Sequence, residues 1–221
     1  MKKTFILILA AGTIWMSSCK KDAKKIPAGY SIDDSYIPLT AFSTWSYLVT
    51  GTDGNDTLTV KLTGAATVIN GKTYYNANST YRRKGSGAGY FFRANHLYGS
   101  LASNTAAGLS VEFEFLNDTT PTGESWISAP TDDGMLNGVP VRTVNTIKEV
   151  NVSKRVGDQT FTNVIHSEVN LQYNYGAGYE NSAVYEFYFA KGVGMIEKIT
   201  ILSGDIYEME NIVSYNIAHP L

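Results

Sequence analysis

Ile165-His166-Ser167-Glu168-Val169-Asn170-Leu171-Gln172-Tyr173-Asn174-Tyr175 alternates without a break. Ile165, Ser167, Val169, Leu171, Tyr173 and Tyr175 share one parity; His166, Glu168, Asn170, Gln172 and Asn174 share the other. A strand turns successive side chains to opposite faces, so this period of two writes a strand with one apolar, aromatic face and one polar face. The pattern recurs on both sides. Val111-Glu112-Phe113-Glu114-Phe115 alternates, and Tyr185, Phe187 and Phe189 oppose Glu186. Tyr207, Met209, Val213, Tyr215 and Ile217 line one face of the last strand between Glu208, Glu210 and Asn216, with Asn211 interrupting. Such half-polar strands belong to antiparallel sheets with one wet face.

The turns agree. Asn70-Gly71, between Ala66-Thr67-Val68-Ile69 and Thr73-Tyr74-Tyr75, predicts a type I′ hairpin. Val156-Gly157-Asp158-Gln159, Lys191-Gly192 and Gly204-Asp205 mark further turns. Beyond residue 30 no stretch has the period of an amphipathic helix; Ser100 to Gly108, rich in Ala and Ser, has room for one helical turn. Asn117 to Gly138 carries Pro121, Gly123, Pro130, Gly134 and Gly138 and reads as a long loop or irregular crossover. Gly71-Lys72-Thr73-Tyr74-Tyr75-Asn76 is echoed by Gly157-Asp158-Gln159-Thr160-Phe161-Thr162-Asn163, with Trp45 ahead of one copy and Trp126 ahead of the other. The expected fold is all-β: an antiparallel meander forming a curved sheet, a half-barrel or a two-sheet sandwich. The echo leaves two similar halves as an option beside mere likeness of strand–turn–strand composition.

The N-terminus reads differently. Lys2-Lys3 precede a mostly apolar stretch from Phe5 to Met16, the length of a signal-peptide core and too short to cross a bilayer as a helix. It runs into Met16-Ser17-Ser18-Cys19, which resembles a bacterial lipobox. Small residues before the cysteine admit a peptidase, and the Cys19 thiol is the nucleophile that takes a diacylglycerol. Two or more acyl chains anchor stably, at about 0.8 kcal/mol per buried methylene. Residues 1–18 are expected to be the lipoprotein signal peptide, 19–29 the lipidated cysteine and a flexible tether, and 30–221 a single all-β domain. Lys20 stands where an inner-membrane retention signal would place Asp, which favours the outer membrane, on its periplasmic face or at the cell surface.

Composition excludes several classes. The chain has 221 residues, 43% hydrophobic and only 17% charged, so disorder is excluded for most of it. A single cysteine excludes a disulfide scaffold. Six of the 18 basic residues but one of the 20 acidic ones precede residue 30, leaving 12 bases and 19 acids beyond it, a formal charge of −7. A domain so charged has no electrostatic footprint for nucleic acid.

Catalytic signals are absent. His96, His166 and His219 are the only histidines. His166 and Glu168 share a strand face but fall one ligand short of a catalytic zinc site, and the polar run through Asn174 reads as a solvated face. No Gly-x-Ser-x-Gly elbow occurs. Gly85-Ser86-Gly87-Ala88-Gly89 reads as a hairpin loop, because no helix follows to make it a phosphate cradle. Glu112 and Glu114 read as solvated like charges, and Arg82-Arg83-Lys84 as a solvated loop edge or edge-strand guard. No catalytic residue, metal ligand or cofactor is assigned. The 15 Tyr suit strands, and equally an aromatic face for a ligand. Asp56-Thr57-Leu58 and Asp118-Thr119-Thr120 resemble triplets that Bacteroidetes O-glycosylate, which makes Thr57 and Thr119 candidate modification sites.

Three segments resemble a Bacteroidetes lipoprotein group of unassigned function: Tyr36-Ile37-Pro38-Leu39 followed by Trp45-Ser46-Tyr47; Asn70-Gly71-Lys72-Thr73-Tyr74-Tyr75; and Tyr188-Phe189-Ala190-Lys191-Gly192-Val193-Gly194-Met195-Ile196. The resemblance implies a curved antiparallel half-barrel and no catalytic residues. The expected function is that of an exported, membrane-anchored lipoprotein, more a non-catalytic binding or envelope-scaffold module than an enzyme. Its expected partners are the membrane, through lipid on Cys19, and a small apolar or glycan ligand. A hydrolase of envelope or dietary glycans and a structural partner in an outer-membrane complex are the alternatives.

Overall fold

Among the described residues, alternating runs and positive-φ turns together produce thirteen strands and no helix. The computed structural model describes residues 33–104 and 109–219; the segments expected to be signal peptide and tether, with Cys19, lie outside them. The strands are β1 (Thr44–Gly51), β2 (Asp56–Ile69), β3 (Lys72–Tyr81), β4 (Gly85–Ala94), β5 (Leu97–Asn104), β6 (Leu109–Asn117) and β7 (Ser125–Ser128). They continue with β8 (Met135–Leu136), β9 (Val139–Val156), β10 (Gln159–Asn174), β11 (Tyr179–Ala190), β12 (Gly194–Leu202) and β13 (Asp205–Asn216). Asn70 and Gly71 both have positive φ, 50° and 75°, as a type I′ turn requires.

The sheet order is β6-β5-β4-β3-β2-β1-β13-β12-β11-β10-β9-β7, with β8 paired to β9 off this path. Every pairing is antiparallel, and the result is one nearly closed, barrel-like sheet. The curved-sheet expectation holds, and the sandwich option falls because one sheet runs through. Chain order follows the circumference: one meander from β1 to β6, a second from β7 to β13, sealed by β1 against β13. At the seam between β6 and the second meander, Glu112 N donates to Pro130 O (2.7 Å) and Ser167 Oγ to Phe115 O (2.6 Å). The echoed sequences take corresponding places: each glycine turn joins the second and third strands of its meander on the sheet path, and each tryptophan stands on the first.

The structure corrects four local expectations. Gly85 to Gly89 is not a loop but the first half of β4; Gly87 and Gly89 pair with the small residues Ser79 and Ala77, Gly85 pairs with Tyr81, and the turn is Arg82-Arg83-Lys84. Residues 100–104 extend β5, where pairing with β4 and β6 supplies hydrogen bonds that a lone helical turn would lack. The loop after Asn117 contains β7 and β8, both held on β9. On β13 the aromatic parity does not form one inner face: Tyr207, Val213 and Tyr215 are exposed, Glu210 and Ile212 are buried, and Tyr215 pairs with Trp45 beyond an irregularity. The register shift opposite Ser46/Tyr47 leaves Val213 as the extra residue and reverses the phase of β13 across it.

Two devices brace the sheet. The first joins two of the segments that carried the family resemblance: Trp45 Nε1 donates to Val193 O (2.6 Å) and Tyr47 Oη to Met195 O (3.0 Å). Gly194 permits this, since its φ is +110° and a Cβ there would lie 3.2 Å from Trp45 Nε1. The preceding segment is tied down by Asp33, which accepts from Ser35 N, Leu39 N and Arg93 Nη1. The second is the long β9–β10 hairpin, which has positive φ at Asn151 (57°) and Asn163 (52°) and broken register between them and His166. Its end reaches the outer face of β11 to β13: Lys154 pairs with Glu197 (2.9 Å), and Gln159 Nε2 donates to Val213 O (3.2 Å).

Candidate ligand-binding cavity

Inward parity places aromatic rings on a common wall. Phe113 and Phe115 of β6 meet Tyr185, Phe187 and Phe189 of β11, with Phe115 stacked on Phe189 at 5.2 Å and Phe113 edge-on to Tyr185 at 5.4 Å. Such pairs add about 0.5–1.5 kcal/mol each to the burial they already provide. Opposite them stand Leu58, Val60 and Leu62 of β2, with Trp45 and Tyr47 of β1. The walls do not meet. They line a cavity of about 310 Å³, partly open to solvent, whose lining is mostly apolar. That is about twice the engineered cavity of about 150 Å³ that stays dry and binds benzene. Ser79 and Ser100 are small at the positions where β3 and β5 face the space.

One wall carries charge. Lys198 of β12 and Glu210 of β13 are register partners, both line the cavity, and their side chains form an ion pair. The Glu210 side chain is 4% exposed and that of Lys198 22%. Burial by itself lowers the Lys198 pKa, but attraction from Glu210, with its hydrogen bond, and from Glu208 outweighs it, and the net direction is upward. Lys198 also lies 3.9 Å from Glu208, and Glu208 lies 3.9 Å from Lys84 at the surface. Burial and the nearby Glu210 both push the Tyr47 and Tyr81 hydroxyls up. A buried pair of this kind costs desolvation that its own attraction barely repays, so it is weak evidence for stability and marks the wall as a site candidate.

The residues singled out in the sequence fall elsewhere. His166 lies on the outer face, partnered not by Glu168 but by Glu186 (Nε2, 2.7 Å) and Glu149 (Nδ1, 3.3 Å), and stacked on Tyr188 at 4.2 Å. Glu168 pairs with Lys148. Burial first, then Glu186, Glu197 and Glu149, push the Tyr188 hydroxyl up to about 12. Among the described residues no cluster of His, Cys, Asp and Glu is arranged to hold a metal ion. Glu112 and Glu114 are partnered rather than simply solvated: Glu112 takes Lys72 (2.6 Å) and the Tyr74 hydroxyl, and Glu114 takes Trp126 Nε1 (3.2 Å). Arg83 N caps the Asp56 carboxylate and Lys84 reaches Asp53 and Glu208, as a loop edge does. Thr57 is exposed on β2 and Thr119 exposed in the turn after β6. A second, more open cleft of about 750 Å³ contains His96, Asp118 and Lys191. It is larger but polar, and lacks the apolar enclosure that holds small ligands.

Sequence reasoning missed Lys198 and Glu210 as a pair. Glu197-Lys198 sits between Ile196 and Ile199, so both parities of β12 carry a charge and a hydrophobe, and nothing local tells which charge turns inward.

No family model and no curated protein matches the chain. Two solved structures are similar in fold, each with a TM-score of 0.47 over 83% of this chain and 99% of their own. One is an exported-protein candidate with a YmcC-like fold from Bacteroides fragilis, 9% identical. The other is a lipoprotein candidate from Parabacteroides distasonis, 12% identical. Likeness at this level transfers neither a ligand nor an activity.

Proposed function

We propose that the chain is an envelope lipoprotein, anchored to the outer membrane through lipid on Cys19, whose single domain over 30–221 binds a small apolar or amphiphilic molecule without transforming it. The apolar cavity of about 310 Å³ carries this reading. Its volume lies at the low end of small-molecule sites, and its lining of aromatic and aliphatic groups around a few polar ones is their usual composition. Hydrolysis of a glycan would need two carboxylates flanking the scissile bond. The cavity lining includes Glu210 alone among carboxylates, already paired to Lys198. A glycan would also need hydrogen-bonding walls, whereas these are mainly rings and methyl groups.

Titration with N-phenyl-1-naphthylamine, an apolar fluorophore, tests the reading. Saturable one-to-one enhancement is expected in the parent chain and its loss in Ser79→Phe/Ser100→Phe, which fills the cavity from both serines. Equal binding by the filled variant would refute it. Mass spectrometry of protein from its native host tests the anchor: an unmodified Cys19 would remove it.

The structural-partner alternative has one supporting feature. Leu48 on β1 and Tyr207, Val213 and Tyr215 on β13 are exposed on paired strands. Cross-linking from this strip in intact cells distinguishes the two readings.

A further inference from the structure

The charges at the cavity wall do not balance. Lys198 faces two carboxylates, Glu210 within hydrogen-bonding reach and Glu208 at 3.9 Å. A third, Asp56, is buried on β2, its oxygens accepting from Thr57 N and Arg83 N. Burial, Glu210, Glu208 and Asp56 push the Tyr81 hydroxyl up, and Lys198 opposes them. The nearest further cation, Lys84, is 48% exposed and its partner Asp53 more so, and solvent screens both. The inner group therefore carries one ammonium against two carboxylates, and the more buried of these borders the apolar space directly. A carboxylate has about four lone-pair sites, and one ammonium proton occupies a single one of them.

This decides what kind of polar end an amphiphile could bring. A carboxylate or phosphate head would have to displace Glu210 from Lys198 or lie beside it in a region of low dielectric, where like charges repel most. A hydroxyl or ammonium head meets an acceptor already in place. We infer that the cavity selects amphiphiles whose polar end is a hydrogen-bond donor without negative charge, an alcohol or an alkylammonium, and discriminates against fatty carboxylates. The inference rests on the ligand-binding reading of the cavity and names the ligand class within it.

The test uses the full chain with Cys19→Ala, so that no acyl chain of its own competes. Decanol, decylammonium and decanoate are titrated at neutral pH, with intrinsic tryptophan fluorescence, to which Trp45 at the cavity wall contributes, as readout. Decanol and decylammonium are expected to bind, and decanoate about tenfold more weakly or worse, the ratio set by about 1.4 kcal/mol of charge repulsion. Glu210→Gln is expected to narrow or reverse that order. Glu208→Gln, at a more exposed and more tolerant position, is expected to narrow it in the same direction. Decanoate binding as tightly as decanol would overturn the inference and leave the cavity reading standing, as would an order unchanged in both variants. Failure of all three probes to bind would overturn both.

Discussion

Replacing Lys198 with Met leaves Glu210, whose side chain is 4% exposed, buried without its cation, while Glu208 keeps only the half-exposed Lys84 at 3.9 Å. Breaking a buried pair from one side costs about 3–5 kcal/mol, a large part of the roughly 5–15 kcal/mol that holds a domain folded. Glu210→Gln is milder, because Lys198 keeps Glu208 at 3.9 Å and 22% of its side chain reaches solvent. A loss of about 1–3 kcal/mol is expected there. Removing both charges, as Lys198→Met/Glu210→Leu, also removes their desolvation cost, and such replacements run from neutral to about 1–4 kcal/mol stabilising. The signature is therefore strong non-additivity: two destabilising single changes and a double change near or above the parent. Urea unfolding reads it as midpoint shifts at constant slope. The Lys198 pKa adds a second constraint. It is raised in the folded state, so folding tightens the proton. The stabilisation is then complete below the unfolded lysine value of about 10.4 and is lost only as pH climbs through the higher folded value. Between about pH 6 and pH 9 the gap between Lys198→Met and parent should stay flat. A double variant as unstable as the two single losses summed would refute the pair as the source, as would Lys198→Met unfolding within about 0.5 kcal/mol of the parent.

Three further outcomes are expected. Gly99→Ala destabilises by about 1–3 kcal/mol in urea unfolding, since its Cβ would lie 2.2 Å from the Phe92 ring and 2.5 Å from Phe113 O; Gly71→Ala, with open space but φ +75°, loses only about 1–2 kcal/mol to backbone strain. Trp45→Phe leaves the partly buried Val193 carbonyl without this donor at about 1 kcal/mol, and hydrogen exchange should quicken first in the 191–196 hairpin. Asp33 has its pKa lowered: burial raises it, but hydrogen bonds from Ser35, Arg93 and Leu39 outweigh that. Its contribution is thus full above the unfolded value of about 3.9 and lost as pH falls through the lower folded one. Asp33→Asn should accordingly flatten the acid limb of the stability profile below about pH 4 and leave the alkaline limb unchanged.

Alternation in 165–175 and the Asn70-Gly71 turn specify strands and a hairpin because side-chain direction and φ are set within a few residues. The same locality explains the errors. Gly85 to Gly89 has the composition of a loop and becomes a strand because Ala77 and Ser79 lie opposite it. Glu112 and Glu114 look solvated until Lys72, Tyr74 and Trp126, from other strands, reach them.

By itself, the sequence determined an all-β meander with an acidic domain and resembled a lipobox at its start. Only the tertiary structure decided which residues of β13 face inward, that two of the segments carrying the family resemblance hydrogen-bond to one another, and that Lys198 meets Glu210 at the wall of an apolar space. Parity along a strand is a local property, but the choice of inside and outside is made by bulges and by closure of the whole sheet. A tyrosine-rich face, apolar in its rings and polar at its tips, is at home on either side of that boundary.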